Sequence, residues 1–254
     1  TSASIFLANT PPTITDVFLS SNTPTVSTWL SCLAEGSDDV DGDSVEYVYS
    51  WLINGAVDSA FNQPNLPVGS TSKGQSVACQ VTPYDGSDLG LPVMSGTVVI
   101  QNSAPTVATV SISPDTPQSN TPLTCTVGSV SDADGDAVSF VWEWRVDGEV
   151  VADAVGESLP VMFFERGDSV TCAVTPTDGT DTGTVIQSDA ALITNTPPSA
   201  SGVVVIPSVP DTGDDLQCSL LGFDDFDGDP EAVVYAWVAD GQPISDQTQA
   251  VLPS

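Results

Sequence analysis

Histidine is absent from this 254-residue chain, and only three lysines and arginines stand against 34 aspartates and glutamates. The first absence removes the commonest general base and the usual zinc and copper ligand. The second leaves a formal charge of −31, which excludes nucleic acid and anionic membrane surfaces as partners. No apolar run approaches the length of a membrane-spanning helix. No phosphate loop, zinc spacing or dinucleotide fingerprint occurs, and no Asn-x-Ser/Thr sequon. The serines and threonines lack a histidine to activate them, and Lys73 is the only lysine. Its isolation also argues against a Lys–Asn crosslink in each repeat. The composition therefore points away from an enzyme. Neither an initiator Met nor a signal peptide opens the chain, so the expectation is a processed protein or a piece of a longer one. With 40 % hydrophobic residues there is ample material for packed cores, unlike an acidic disordered tail.

What the chain does contain is a repeat. Asp39–Trp51 (DVDGDSVEYVYSW), Asp132–Trp144 (DADGDAVSFVWEW) and Asp225–Trp237 (DFDGDPEAVVYAW) stand 93 residues apart without insertion or deletion. Cys32, Cys125 and Cys218 keep that interval, as do Cys79 and Cys172, and Pro12, Pro105 and Pro198. A fixed period is the mark of an array of modules, and this one has the length of a complete small β domain. Phasing gives repeats at residues 9–101 and 102–194 and an incomplete repeat at 195–254. Thr1–Ala8 aligns with the last strand of a repeat, belonging to a preceding or neighbouring module, and the third repeat would need about 33 further residues. The joints, around Pro12, Pro105 and Pro198, are proline-rich and read as short, stiff linkers.

Within the second repeat, period-two alternation predicts seven strands. Thr106–Ser113 is the first; Leu123, Cys125 and Val127 form the inward set of the second. Val138, Phe140, Trp142, Trp144 and Val146 give the third a heavily aromatic face. Asp147-Gly148, like Asn54-Gly55 one repeat earlier, signals a hairpin into a short fourth. Glu157–Met162 is the fifth, Val170, Cys172 and Val174 line the sixth, and Thr184–Ile193 is the seventh. No segment shows sustained helical periodicity.

The acidic loops carry the chemistry. Asp39, Asp41 and Asp43, then Asp132, Asp134 and Asp136, then Asp225, Asp227 and Asp229, place carboxylates on alternate residues around a glycine that lets the chain curl. Oxygens converging in this way suit a hard cation of the calcium type. No helices flank the loops, so an EF-hand is excluded. The alternative is that Asp and Gly simply populate solvated turns; three copies at fixed spacing and a large charge to neutralise favour the ion.

The strand count with its Cys…Trp…Cys order resembles the immunoglobulin-like sandwich, and the DxDGD loop between the second and third strands resembles bacterial extracellular repeats of the cadherin-like and PKD-like kind. Val77 and Val170 replace the tyrosine that antibody-type domains carry two residues before the second cysteine. The resemblance implies an all-β array of tandem sandwiches, with Cys32 bridged to Cys79 and Cys125 to Cys172. Each bridge closes a loop of about 47 residues and contributes about 4 kcal/mol on the chain-entropy model. Cys218 has no mate before Ser254. The resemblance also sets the loop after the sixth strand at the same end as DxDGD. That brings Asp85 and Asp88, or Asp178 and Asp181, to a calcium ion near the linker. The reading that follows is an extracellular, calcium-rigidified filament or stalk that self-associates or continues as a longer array. The alternatives are an adhesin and a spacer in a large secreted protein. Disulfides require an oxidising compartment, the cell exterior or surface.

Overall fold

The computed structural model describes residues 8–254, so the strand expected at Thr1–Ala8 lies, but for its last residue, outside the described residues. The chain forms two compact units. One takes the chain up to Ala108 with Ser129–Phe140 and Thr175–Val185; the other takes Thr109–Gly128, Val141–Val174 and Ile186–Ser254. The architecture is β throughout: among the described residues the only helical element is a 3-10 turn at Val161–Phe163. No helix of the described residues is long and apolar enough to cross a membrane.

The first unit holds β1 (Asp16–Leu19), β2 (Leu30–Glu35), β3 (Glu46–Ile53), β4 (Ala56–Asp58), β5 (Asn65–Leu66), β6 (Ser76–Tyr84), β7 (Val93–Met94) and β8 (Val98–Val99). β1-β2-β5 make one sheet; β4-β3-β6-β7, with β8 also on β6, make the other. Alternation along β2 buries Leu30 and Cys32, and β6 buries Val77, Cys79 and Val81. The two inner faces share one core with Val17, Trp51 and Leu66. Trp51 stands directly opposite Cys79 in the β3–β6 ladder. Its indole N–H, which burial would otherwise orphan, donates to the Gln63 carbonyl at 2.9 Å. The Cys32–Cys79 bridge joins the sheets, with Cα atoms 6.1 Å apart. At the β3–β4 hairpin Asn54 and Gly55 take φ of 51° and 78°, the paired positive values of a primed two-residue turn.

The second repeat supplies β9 (Thr106–Val107), β10 (Val110–Ser113), β11 (Leu123–Val127), β12 (Val130–Ser131), β13 (Ser139–Val146), β14 (Glu149–Val150), β15 (Ser158–Leu159), β16 (Ser169–Thr177), β17 (Ile186–Gln187) and β18 (Ala191–Leu192). The sheet orders β10-β11-β15 and β14-β13-β16-β17, with β18 on β16, repeat those of the first. β9 and β12 pair inside the first unit, and β13 and β16 run from one unit into the other. The Cys125–Cys172 bridge forms as expected, at the same 6.1 Å between Cα atoms.

Several strands are shorter than the alternation predicts. The first breaks at Ala108–Thr109: Thr106–Val107 pairs with Val130–Ser131 and Val110–Ser113 with Thr124–Val127. The fifth ends at Leu159 because Pro160 has no N–H to extend the ladder, and the chain enters the 3-10 turn. The seventh splits around Ser188, whose hydroxyl accepts the Cys172 N–H at 3.1 Å while its own N–H donates to the Cys172 carbonyl at 2.9 Å. A side chain there replaces a ladder carbonyl; Ser95 does the same for Cys79. Of the aromatic face of β13 only Trp144 is fully buried; Phe140 and Trp142 are half-buried.

The third repeat forms β19 (Gly202–Ile206), β20 (Leu216–Leu221), β21 (Val238–Ala239), β22 (Gln242–Pro243) and β23 (Val251–Leu252), with β19-β20-β23 in one sheet. The expected aromatic third strand is reduced to β21: residues 231–237 enter no ladder. Trp237 nonetheless donates to the Gln249 carbonyl at 2.9 Å, and Cys218 is a free, half-buried thiol.

Candidate metal site at the linker

The DADGD loop is built by its own first aspartate. Asp132 Oδ1 accepts the N–H of Asp134 at 2.9 Å and of Asp136 at 3.1 Å, the Asx pattern by which aspartate makes turns. Gly135 holds φ +80° with open space around it, so glycine is required there by backbone conformation and not by crowding. The second loop is made in the same way. Asp178 Oδ1 accepts the N–H groups of Thr180 and Asp181, both at 2.7 Å. The turn chemistry thus accounts for one oxygen of each organising aspartate, Asp132 and Asp178.

The linker ties these loops together, all within the first unit. The Asn102 amide donates to Asp178 Oδ2 at 2.8 Å and Asp181 Oδ2 at 2.7 Å, and the Ser103 N–H donates to Asp134 Oδ2 at 2.6 Å. Asn102 is the leading reason the Asp178 carboxyl is held below its ordinary value, with the Asp181 and Thr180 N–H groups adding to it. A Cβ at Gly183 would lie 1.9 Å from the Pro105 carbonyl oxygen and 2.9 Å from Pro176 Cγ. Glycine there lets the linker backbone lie directly on the second loop.

Three carboxylates converge here, although Lys73 pairs with Asp136 and Asn102 donates to Asp178. Asp132, Asp136 and Asp178 each present a carboxylate oxygen within 4.8 Å of the others, a span that one ion with oxygen ligands at about 2.3–2.6 Å can bridge. Asp132 Oδ2 and Asp134 Oδ1 are buried without a hydrogen-bond partner, which is costly for a carboxylate oxygen unless a cation meets it. The donor set, all hard oxygen, fits calcium. Asp134 and Asp181 reach the same place through their linker contacts and stand outside the convergent trio.

The other copies share the scaffold. In the first, Asp39 Oδ1 accepts the Asp41 and Asp43 N–H groups, and Asp39 Oδ2 is buried and unpartnered. Asn9 donates to Asp85 and Asp88 at 2.9 Å each, and the Thr10 N–H to Asp41 at 2.6 Å. Asp85 is held low chiefly by the Asp88 N–H and next by Asn9. In the third, within the second unit, Asp225 Oδ1 accepts the Asp229 N–H at 2.9 Å, Asp225 Oδ2 is unpartnered, and Asp227 accepts the Thr196 N–H at 2.7 Å. Among the described residues only the second copy brings three carboxylates within reach of one ion.

Two features escaped the sequence reading. Asn9, Asn102 and Asn195 recur at the 93-residue spacing, and their amides were legible only as linker. Lys73, read as isolated, is not: Arg166 occupies its equivalent position. Lys73 pairs with Asp136 and donates to Asn102 Oδ1 at 2.9 Å. Arg166 grips Asp229 through both terminal nitrogens and also contacts Asn195.

No protein-family model matches the sequence, and no curated protein matches it. Among solved structures, the chain resembles three fibronectin domains of chicken CNTN1 (11 % identity, 89 % of this chain and 77 % of that one, TM-score 0.32). It also resembles a two-domain fibronectin type-III segment of chicken tenascin (14 % identity, 68 % and 96 %, TM-score 0.34). A third similarity is to a Ca2+-stabilized adhesin by which an Antarctic bacterium binds ice (14 % identity, 85 % and 59 %, TM-score 0.31). At these scores the likenesses carry no argument about activity.

Proposed function

We propose that the chain is a structural segment of an extracellular filament or stalk, in which each 93-residue repeat is one sandwich domain and calcium stiffens the joints between them. The observation that carries this reading is the convergence of Asp132, Asp136 and Asp178 beside the linker, with Asp132 Oδ2 buried and unpartnered. Asp132, Asp136 and Asp178 would hold the ion, which would supply charge neutralisation where three carboxylates meet. Asn102 and Ser103 orient the surrounding loops through Asp178, Asp181 and Asp134. Two disulfides support an oxidising, extracellular setting. The role is mechanical and non-catalytic, and self-association into filaments or continuation of the array follows from repetition of the joint.

Calorimetric titration with calcium and melting curves in calcium and in chelator test the reading. Calcium that binds the folded chain raises its melting temperature by mass action. The double variant Asp132→Asn, Asp136→Asn should lose that shift at the second repeat while keeping the Cys125–Cys172 core. Coincident melting curves in calcium and in chelator would overturn it.

A further inference from the structure

Two of the three basic side chains in a chain of charge −31 occupy equivalent positions, 93 residues apart, in the turn that leads into β6 and β16. Both do the same thing. Lys73, from the first repeat, pairs with Asp136 of the second and donates to the linker Asn102. Arg166, from the second, pairs with Asp229 of the third and contacts the linker Asn195. In each case the acceptor is the third aspartate of the next DxDGD loop, 63 residues on.

We propose that Lys73 and Arg166 are joint-specifying cations: each fastens its own repeat to the acidic loop of the repeat that follows, so that the joint is ordered head to tail without bound metal. At the second repeat Asn102 is fully engaged, its amide on Asp178 and Asp181 and its oxygen on Lys73. The lysine therefore closes a continuous polar path from one repeat, through the linker, to both loops of the next. Arginine at the equivalent place cannot act as a nucleophile, so what the two positions share is the positive charge. Asp136 and its neighbours Asp134 and Asp178 favour the charged ammonium, and Asp229 the guanidinium. A lone exposed ion pair contributes little; here it belongs to a network that also includes the half-buried Asn102 on Asp178 and the Ser103 N–H on Asp134. Direction follows as well, because the basic residue lies on the trailing end of one repeat and its acceptor on the leading end of the next.

The test is made on the whole chain in chelator, so its outcome is independent of the calcium reading. Residual dipolar couplings report whether the residues of the first and second repeats share one alignment tensor. The wild type and Lys73→Arg should share one; Lys73→Gln and Asp136→Asn should lose it. Arg166→Gln should leave that tensor intact and uncouple the third repeat instead. Amide-exchange protection of Cys79 and Val81 should be unchanged in Lys73→Gln, showing that the domain itself still folds. A shared tensor in Lys73→Gln equal to that of the wild type would overturn the proposal.

Discussion

A single methylene separates a functioning joint from a blocked one at Gly183. The Cβ of alanine would sit 1.9 Å from the Pro105 carbonyl oxygen, and the Gly183 backbone is held by its N–H on the Pro176 carbonyl at 2.8 Å. Overpacking of this kind costs about 1–3 kcal/mol, so Gly183→Ala should lower the denaturant midpoint of the chain by that amount, and Gly90→Ala, which meets Pro12 in the same way, should match it. Asn102 offers a charge test at the same scale. Its amide helps depress the Asp178 carboxyl. A carboxyl lowered in the folded state contributes stability above its unfolded value and loses it as pH falls through the folded one. In chelator, Asn102→Leu should therefore move the Asp178 titration, followed by carboxyl carbon shifts, upward toward its ordinary position, and stability in acid should be lost at higher pH than in the wild type. No movement would show that the backbone donors alone set it. Of these residues the sequence displayed the aspartates and the cysteines, because both repeat in patterns with known chemistry. Gly183 and Asn102 repeat as faithfully and Lys73 recurs as Arg166, but Pro105, Asp178 and Asp181, and Asp136, which they respectively meet, lie 63 to 79 positions away, and spacing alone names no partner.

At the scale of strands, alternation located the strands that carry the cysteines and Trp144, missed the buried Ala154 and Phe164 between them, and misjudged lengths for physical reasons. Pro160 truncates the fifth strand, and Ser188 takes the place of a ladder carbonyl in the seventh. Hydrophobic period reports which face is inward; it does not report where hydrogen bonds stop. β3 and β6 illustrate the strength of the part that was legible. Eight consecutive register pairs run from Glu46↔Tyr84 to Ile53↔Val77, and the bridge from Cys79 crosses to the opposite sheet. Reducing one 47-residue loop should cost about 4 kcal/mol. Cys32→Ala with Cys79→Ala should thus lose about that much in a denaturant titration, while Trp51 stays buried by fluorescence. Truncating Trp51 to alanine removes the core's largest side chain and leaves the Gln63 carbonyl without its donor, at about 3–5 kcal/mol. A smaller loss from Trp51→Ala than from the cysteine pair would mean that the bridge, and not the packed ring, anchors the sandwich.

Over the whole molecule the charge of −31 acts in two opposed ways, and salt separates them. Self-repulsion destabilises each folded repeat, whereas attraction between Lys73 and Asp136 or Arg166 and Asp229 orders the joints. Both fade as the Debye length shortens from about 30 Å at 0.01 M to about 3 Å at 1 M salt. In chelator, sodium chloride should therefore raise the melting temperature of the chain while weakening the alignment shared across a joint. Two observables move in opposite senses under one variable. On the proposed reading calcium should act on both in the same sense, because an ion held by Asp132, Asp136 and Asp178 would remove repulsion and join loops that the linker already ties together. A melting temperature that rises with calcium no further than with sodium chloride of equal ionic strength would reduce the cation effect to screening. A joint that stiffens in calcium at constant ionic strength would instead identify a bound ion, and loss of that stiffening in Asp132→Asn, which leaves the Lys73–Asp136 pair in place, would assign that ion to the second repeat.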